Sequence, residues 1–290
     1  MSWRTVVVSS SAKLDYQLGY LIVRKETTTK IHLNEISILL IETTAVSMTA
    51  ALMSELLKKK IKVIFCDEKR NPIGEVVSYY GAHDTSAKIR SQIGWNKEIK
   101  ATIWTEIVTE KIRQQEAVLN VFGKKEGSLL QQYIEEIEFG DMTTREGHAA
   151  KVYFNALFGK DFSRTEDNNI NAALNYGYSV ILSAFNREIV SNGYITQIGL
   201  FHDNMFNQFN LASDLMEPFR AIIDRAVYKM SISNFGKDEK MQIVNLLNQD
   251  IKIANRTETV NNAIKIYCKS IFDAIEEHDV SLIKFYRYEL

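Results

Sequence analysis

The chain has 290 residues, 46% of them hydrophobic and 24% charged, with 13 Gly and 2 Pro, a balance that excludes disordered and fibrous classes and supports a packed core. Its 35 basic and 36 acidic residues give a formal net charge of -1, so a global positive field is excluded and any nucleic-acid binding must come from local clusters. Cys66 and Cys268 are the only cysteines, too few and too distant for a disulfide framework or a cysteine-based zinc site.

From Trp3 to about Tyr80 the texture is β-like, with the runs Thr5-Val6-Val7-Val8, Tyr20-Leu21-Ile22-Val23, Ile38-Leu39-Leu40-Ile41 and Val63-Ile64-Phe65 separated by polar turns. Between them Val46 to Lys60 carries Met48, Leu52, Met53, Leu56 and Leu57 near helical spacing and ends in three lysines, the sign suited to a helix C-terminus. Asn71-Pro72-Ile73-Gly74 signals a turn into a last strand, Glu75 to Tyr80, and Gly81 to Ser86 reads as a polar connector.

Beyond Ser86 proline nearly vanishes, and Ile89 to Val121 places apolar residues at three- and four-residue intervals. Further helices are expected over Ser128 to Phe139, Thr143 to Phe158, Asn168 to Ser191, Leu211 to Ser231, Lys237 to Leu247 and Val260 to Glu277. The expected fold class is therefore α+β, with a β-sandwich-like amino-terminal domain over residues 1–80, a linker over 81–87 and a mainly α-helical domain over 88–290. No stretch reaches the roughly 18 apolar residues that a membrane span needs. The start Met1-Ser2-Trp3-Arg4 lacks a secretory signal pattern, so a cytoplasmic location is expected. Gly-x-Gly-x-x-Gly, Gly-Lys-Ser/Thr and Gly-x-Ser-x-Gly are all missing, which leaves nucleotide-fold and serine-hydrolase readings without a motif.

Three segments carry candidate chemistry. Thr143-Thr144-Arg145-Glu146-Gly147-His148 enters a helix, and Thr143-x-x-Glu146 also matches a capping box, which would make Glu146 structural. His148, about 200° around the helix from Glu146, reads as a surface or packing histidine. Gly199-Leu200-Phe201-His202-Asp203-Asn204 puts His202 in a loop, where backbone hydrogen bonds alone would satisfy it. In Asp214-Leu215-Met216-Glu217-Pro218-Phe219-Arg220, the two acids stand three apart on one helical face, next to a proline that distorts the turn; the alternative is an acidic helix start favoured by the macrodipole. Two carboxylates and an imidazole meeting around one ion would suit Mg2+ or Mn2+, with histidine tilting the choice toward Mn2+.

The order of these segments, together with Asp167-Asn168-Asn169-Ile170-Asn171-Ala172-Ala173-Leu174-Asn175-Tyr176-Gly177-Tyr178 and the ending Glu217-Pro218-Phe219-Arg220, resembles CRISPR-associated protein 1, most closely its type II-A form. The resemblance spans nearly the whole chain. It implies an integrase that inserts a short double-stranded DNA fragment into CRISPR repeat DNA by metal-dependent transesterification. Glu146, His202 and Glu217 are the implied catalytic metal ligands for Mg2+ or Mn2+, with Asp214 as an accessory acid, Tyr176 near the reacting DNA end, and Arg220 facing phosphate or paired with Asp214. Tyr176 has a second reading as a core aromatic.

The resemblance further implies a homodimer through the amino-terminal sheet, and a heterohexamer with a small ferredoxin-like adaptation subunit. Lys58, Lys59, Lys60, Lys62, Lys88 and Arg90 are candidates for a phosphate-facing cluster; Arg225 and Lys229 read as solvated charges. Two other functions stay open: a metal-dependent endonuclease that hydrolyses branched or single-stranded DNA, and a DNA-binding scaffold without chemistry.

Overall fold

β-Branched runs place the strands, and one of those strands ties the two halves of the chain together. A computed structural model describes residues 4–68, 70–76, 78 and 82–287. The first six strands are β1 (Arg4–Val8), β2 (Ala12–Gln17), β3 (Tyr20–Arg24), β4 (Thr28–His32), β5 (Ile36–Ile41) and β6 (Val46–Met48); helix α1 (Ala50–Lys58), β7 (Lys62–Cys66) and β8 (Pro72–Val76) follow. They form two four-stranded sheets, ordered β1-β5-β7-β8 and β4-β3-β2-β6.

Every residue of β5 is buried, as expected for a strand covered on both faces. Its period-2 alternation explains how. Leu39 and Ile41 join Leu14, Leu21, Leu52 and Val63 in a core between the two sheets and α1, whereas Ile38 and Leu40, with Ile64 and Cys66 of β7, belong to the core of the helices. Leu18 and Gly19, both at positive φ, close the β2–β3 hairpin.

Two expectations here change at their edges. The stretch from Val46 opens as a short strand, and α1 begins only after Thr49, whose hydroxyl accepts the Leu52 amide at 3.3 Å. The strand expected over Glu75 to Tyr80 lies earlier, as β8; residues 77 and 79–81, and with them the start of the expected linker, lie outside the described residues.

The rest is mainly helical: α2 (Thr85–Ile93), α3 (Lys97–Val121), α4 (Gly127–Glu135), α5 (Arg145–Phe158), α6 (Asn169–Ser191), α7 (Asn210–Leu215), α8 (Arg220–Met230) and α9 (Lys237–Asn245). The segment from Ile89 to Val121 is two helices, because Asn96 caps α3 by accepting the Ile99 amide at 2.8 Å. The segment expected as one helix from Leu211 to Ser231 breaks into α7 and α8 at a 3-10 turn over Glu217–Phe219, where Pro218 has no amide to donate.

Strands β9 (Asp250–Ile253) and β10 (Arg256–Thr259), helix α10 (Val260–Glu277) and β11 (Tyr286–Arg287) complete the chain. The three strands form a small sheet, ordered β10-β9-β11, that helical periodicity could not foreshadow. Cys66 and Cys268 are free and buried. Among the described residues no helix is long and apolar enough to cross a membrane.

Candidate functional site

Helix α3 runs through the helical core with buried residues on more than one face, among them Trp104, Ile107, Val108, Lys111 and Ile112. Trp104 and Lys111 stand seven residues apart, two turns along the same stripe. A lysine on such a stripe is costly unless its charge is met. Here its ammonium contacts Glu146 Oε1 and lies 2.5 Å from Glu217 Oε2. Burial alone would lower the Lys111 pKa, yet the Glu217 and Glu146 carboxylates outweigh it and hold the pKa above its ordinary value.

Glu146 is free for that contact because a different acid caps its helix. Asp141 accepts the Arg145 amide at 2.8 Å and the Glu146 amide at 3.2 Å, and the N-cap position, Thr144, has a left-handed backbone and no capping side-chain bond. The capping box between Thr143 and Glu146 is thus not formed.

Glu217 sits in the 3-10 turn and is 4% exposed. Its Oε1 accepts from Arg220 Nε at 2.9 Å while Oε2 faces Lys111. Burial would raise its carboxyl pKa, but Arg220 and Lys111 together hold it below the ordinary range.

His202 is aimed by Asp214, which is fully buried. Asp214 accepts the backbone amides of Leu200 at 2.6 Å, Phe201 at 3.0 Å and His202 at 3.2 Å, and its Oδ1 lies 2.5 Å from His202 Nδ1. The loop can wrap this closely because residue 199 is glycine: a Cβ there would sit 2.5 Å from the His202 carbonyl oxygen and 2.6 Å from Asp214 Oδ2. The His202 ring stands edge-on to Trp104 at 5.9 Å, and Phe201 stacks flat on the same indole at 4.5 Å. The Asp214 hydrogen bond raises the His202 pKa against burial, and the charges of Asp214, Glu217 and Glu146 add to the rise. With Nδ1 taken by Asp214, Nε2 is the nitrogen left to the site.

The structure therefore joins Glu146 and Glu217 through Lys111, sets His202 close enough to feel both charges, and corrects several expectations around them. Asp214 and Glu217 do not converge: the turn at Pro218 sends Asp214 to the histidine loop and Glu217 to Lys111. Arg220 pairs with Glu217, not Asp214. Tyr176 packs against Phe235 at 5.7 Å beneath the Lys240 ammonium, so its core reading is the one observed. Tyr178, two residues on, is the tyrosine near Arg220, whose guanidinium lies 4.6 Å from the ring centroid. His148 is exposed, beside Tyr133.

Four of the six candidate basic residues have partners within the chain. Lys58 pairs with Glu55, Lys88 pairs with Glu276, and Lys59 donates to Asn34. Lys62 is buried against Glu75. Lys111 was absent from the sequence-based site, because it lies on a stripe with Trp104, Ile107 and Val108 that only the fold shows to be buried.

Two carboxylates and an imidazole nitrogen are donor types that suit a hard divalent cation. Among the described residues no trio of His, Cys, Asp and Glu side chains already stands at ligating separation. The carboxylates nonetheless close on a single positive charge, that of Lys111, so the residues present fit a cation between them.

A model of the family described as CRISPR associated protein Cas1 matches residues 5–243. The chain is 30% identical over 291 aligned residues to the CRISPR-associated endonuclease Cas1 of Neisseria meningitidis serogroup C (strain 8013), covering 98% of this chain and 96% of that protein. In three dimensions it matches a chain of a Cas6-RT-Cas1--Cas2 complex with a TM-score of 0.76 at 20% identity, over 99% of this chain and 36% of that longer chain. It also matches a casposase bound to integration product with a TM-score of 0.74 at 18% identity, over 97% of this chain and 92% of that one. At these identities the two structural matches bear on the fold.

Proposed function

The chain belongs to the CRISPR-associated Cas1 endonuclease and integrase family, and from that premise we propose that it inserts short double-stranded DNA fragments into CRISPR repeat DNA by metal-dependent transesterification. The observation that carries the site assignment is the closure of Glu146 and Glu217 on one cation position beside His202. Glu146, Glu217 and His202, through Nε2, would hold Mg2+ or Mn2+. Such an ion polarises phosphoryl oxygens, favours the deprotonated attacking hydroxyl and offsets charge on the leaving oxygen.

The reaction exchanges one phosphodiester for another. A bond forms between the fragment 3′-oxygen and phosphorus as the hydroxyl proton departs, and the bond from phosphorus to the repeat 3′-oxygen breaks, its oxygen gaining a proton. No external energy source is required, so the chain's work is alignment and charge placement. Asp214 fixes the imidazole through Nδ1 and three backbone amides. Arg220 fixes Glu217 and brings positive charge to the edge where a phosphate would lie. The burial of Glu217 and Asp214 keeps their charges from being screened by water.

Several broader features belong to the same reading. The amino-terminal sheets would supply a homodimer contact, and the likeness to a chain of a complex that includes Cas2 supports a Cas partner, which in this reading would be a small ferredoxin-like subunit forming a heterohexamer in the cytoplasm. Water in place of the 3′-hydroxyl would make the site an endonuclease, the activity named for the relative from Neisseria. A strand-transfer assay with fragment and repeat DNA in Mn2+ separates the two: joined strands indicate integration and shortened strands alone indicate hydrolysis. Glu217→Ala is expected to lower joining roughly 100-fold or more; unchanged joining would remove the assigned site and favour a non-catalytic scaffold.

A further inference from the structure

Among the described residues, Lys111 is the one cation that touches both proposed metal-binding carboxylates. It reaches them from α3, which belongs to neither the α5 turn carrying Glu146 nor the 3-10 turn carrying Glu217. Its side chain is 9% exposed, so water does little to neutralise it. Glu217 divides its oxygens between two cations, Arg220 on Oε1 and Lys111 on Oε2. Arg220 does not contact Glu146 among the described ion pairs, whereas Lys111 bridges the two acids.

The geometry creates a conflict of occupancy. Carboxylate oxygens ligate Mg2+ at about 2.1 Å and demand a small, near-ideal coordination shell, and the Lys111 ammonium fills the space between the same oxygens at 2.5 Å from Glu217. Two positive centres at such separations repel each other, and the ammonium occupies the oxygens that an entering ion would need.

We propose that Lys111 is a built-in counter-cation of the metal site: its ammonium holds Glu146 and Glu217 in facing positions when no metal is bound, and a divalent ion binds by displacing it. This rests on the proposed metal-binding reading of the site and deepens it, because it makes Lys111 the residue that sets the affinity for the ion. The arrangement has two consequences. The two buried acids never face each other uncompensated, and the lysine charge must be relocated each time an ion enters, which weakens metal binding relative to a neutral residue at this position. Lys111 acts here through the ligands, so it is a positioning residue.

The test is Mn2+ binding to the full-length protein, read as free Mn2+ by electron paramagnetic resonance, for wild type and Lys111→Met. The variant is expected to bind Mn2+ at least about tenfold more tightly, as removal of a competing charge requires. Its melting temperature should fall in EDTA and be raised by Mn2+ more than that of wild type. Equal or weaker Mn2+ binding by a folded variant, with wild type still binding, would overturn the displacement while leaving the metal site intact. Absence of binding by both would overturn the metal reading and the inference with it.

Should the variant fail to fold, wild type alone decides. Amine acetylation, read by mass spectrometry at the Lys111 peptide, should be blocked in EDTA and rise several-fold in Mn2+, and labelling unchanged by Mn2+ would sink the proposal.

Discussion

Asp214 Oδ1 lies 2.5 Å from His202 Nδ1, and the same carboxylate accepts three consecutive backbone amides of the loop that carries the histidine. One acid therefore sets both the path of the loop and the orientation of the ring. Asp214→Asn keeps the shape but replaces one acceptor oxygen by an NH2 group, which would face N–H donors. The expected cost is about 2–4 kcal/mol of stability, since buried donors lose their acceptor, together with a roughly 10–100-fold fall in metal affinity or strand joining, as for loss of an orienting partner. Urea unfolding and a Mn2+ titration measure the two effects; a variant that keeps wild-type affinity would show that Asp214 does not aim the imidazole.

Gly199 makes that wrapping possible. Its φ is not positive, so backbone strain is not the reason for glycine; the reason is space, with a Cβ 2.5 Å from the His202 carbonyl oxygen and 2.6 Å from Asp214 Oδ2. Gly199→Ala must push the loop away from Asp214. The expected outcome is joining reduced roughly tenfold or more, from misplacement of His202 by an ångström or so, while the far-ultraviolet circular dichroism stays that of wild type. Full activity would mean that the loop has an alternative path.

Much of this was legible in sequence, and the missing parts share a cause. The strands announced themselves because the β-branched runs of β1, β3, β5 and β7 are local signals, and α10 begins and ends where its periodicity does. Glu146, His202 and Glu217 were marked as candidates by turns, a loop and a proline, but capping and loop readings stayed open for them, and it was the family resemblance that grouped the three. Lys111 did not, because the sequence of α3 mixes charged and apolar residues throughout, and only the fold shows that its stripe is buried. The roles of Asp214 and Arg220 escaped for a related reason: spacing placed the two acids on one face, but the break at Pro218 rotates them apart. The small carboxy-terminal sheet was missed because β9 alternates over only four residues and β11 spans two.

Asp141 offers a separate test of how Glu146 is placed. Its carboxylate accepts the Arg145 and Glu146 amides at the start of α5, the work that a capping threonine does elsewhere in this chain. Asp141→Ala should cost about 1–2 kcal/mol through two unsatisfied amides, and Asp141→Asn less, because an acceptor oxygen remains. Differential scanning calorimetry gives the ranking directly. If alanine and asparagine were equal, the cap would be contributing only charge.

Asp224 predicts a pH dependence outside the ligand set. It is 1% exposed on α8, accepts the Tyr178 hydroxyl at 2.5 Å, and burial pushes its carboxyl up to about 6, against the opposing pull of Tyr178 and Arg220. Because the folded pKa stands above the ordinary 3.8, the folded chain holds the extra proton between about pH 4 and 6. Stability contributed by this group is therefore complete below that window and is lost as pH rises through it. At 1.36 kcal/mol per unit, a two-unit shift bounds the loss at about 3 kcal/mol. Asp224→Asn mimics the protonated acid and keeps an acceptor for Tyr178. It should be as stable as wild type near pH 4 and more stable by about 1–3 kcal/mol at pH 8. Urea unfolding at the two pH values measures the difference. A loss of stability at pH 8 would mean that the Tyr178, Tyr153 and Arg220 interactions with the carboxylate outweigh the cost of burying it, and that its folded pKa lies below the ordinary value and not above it.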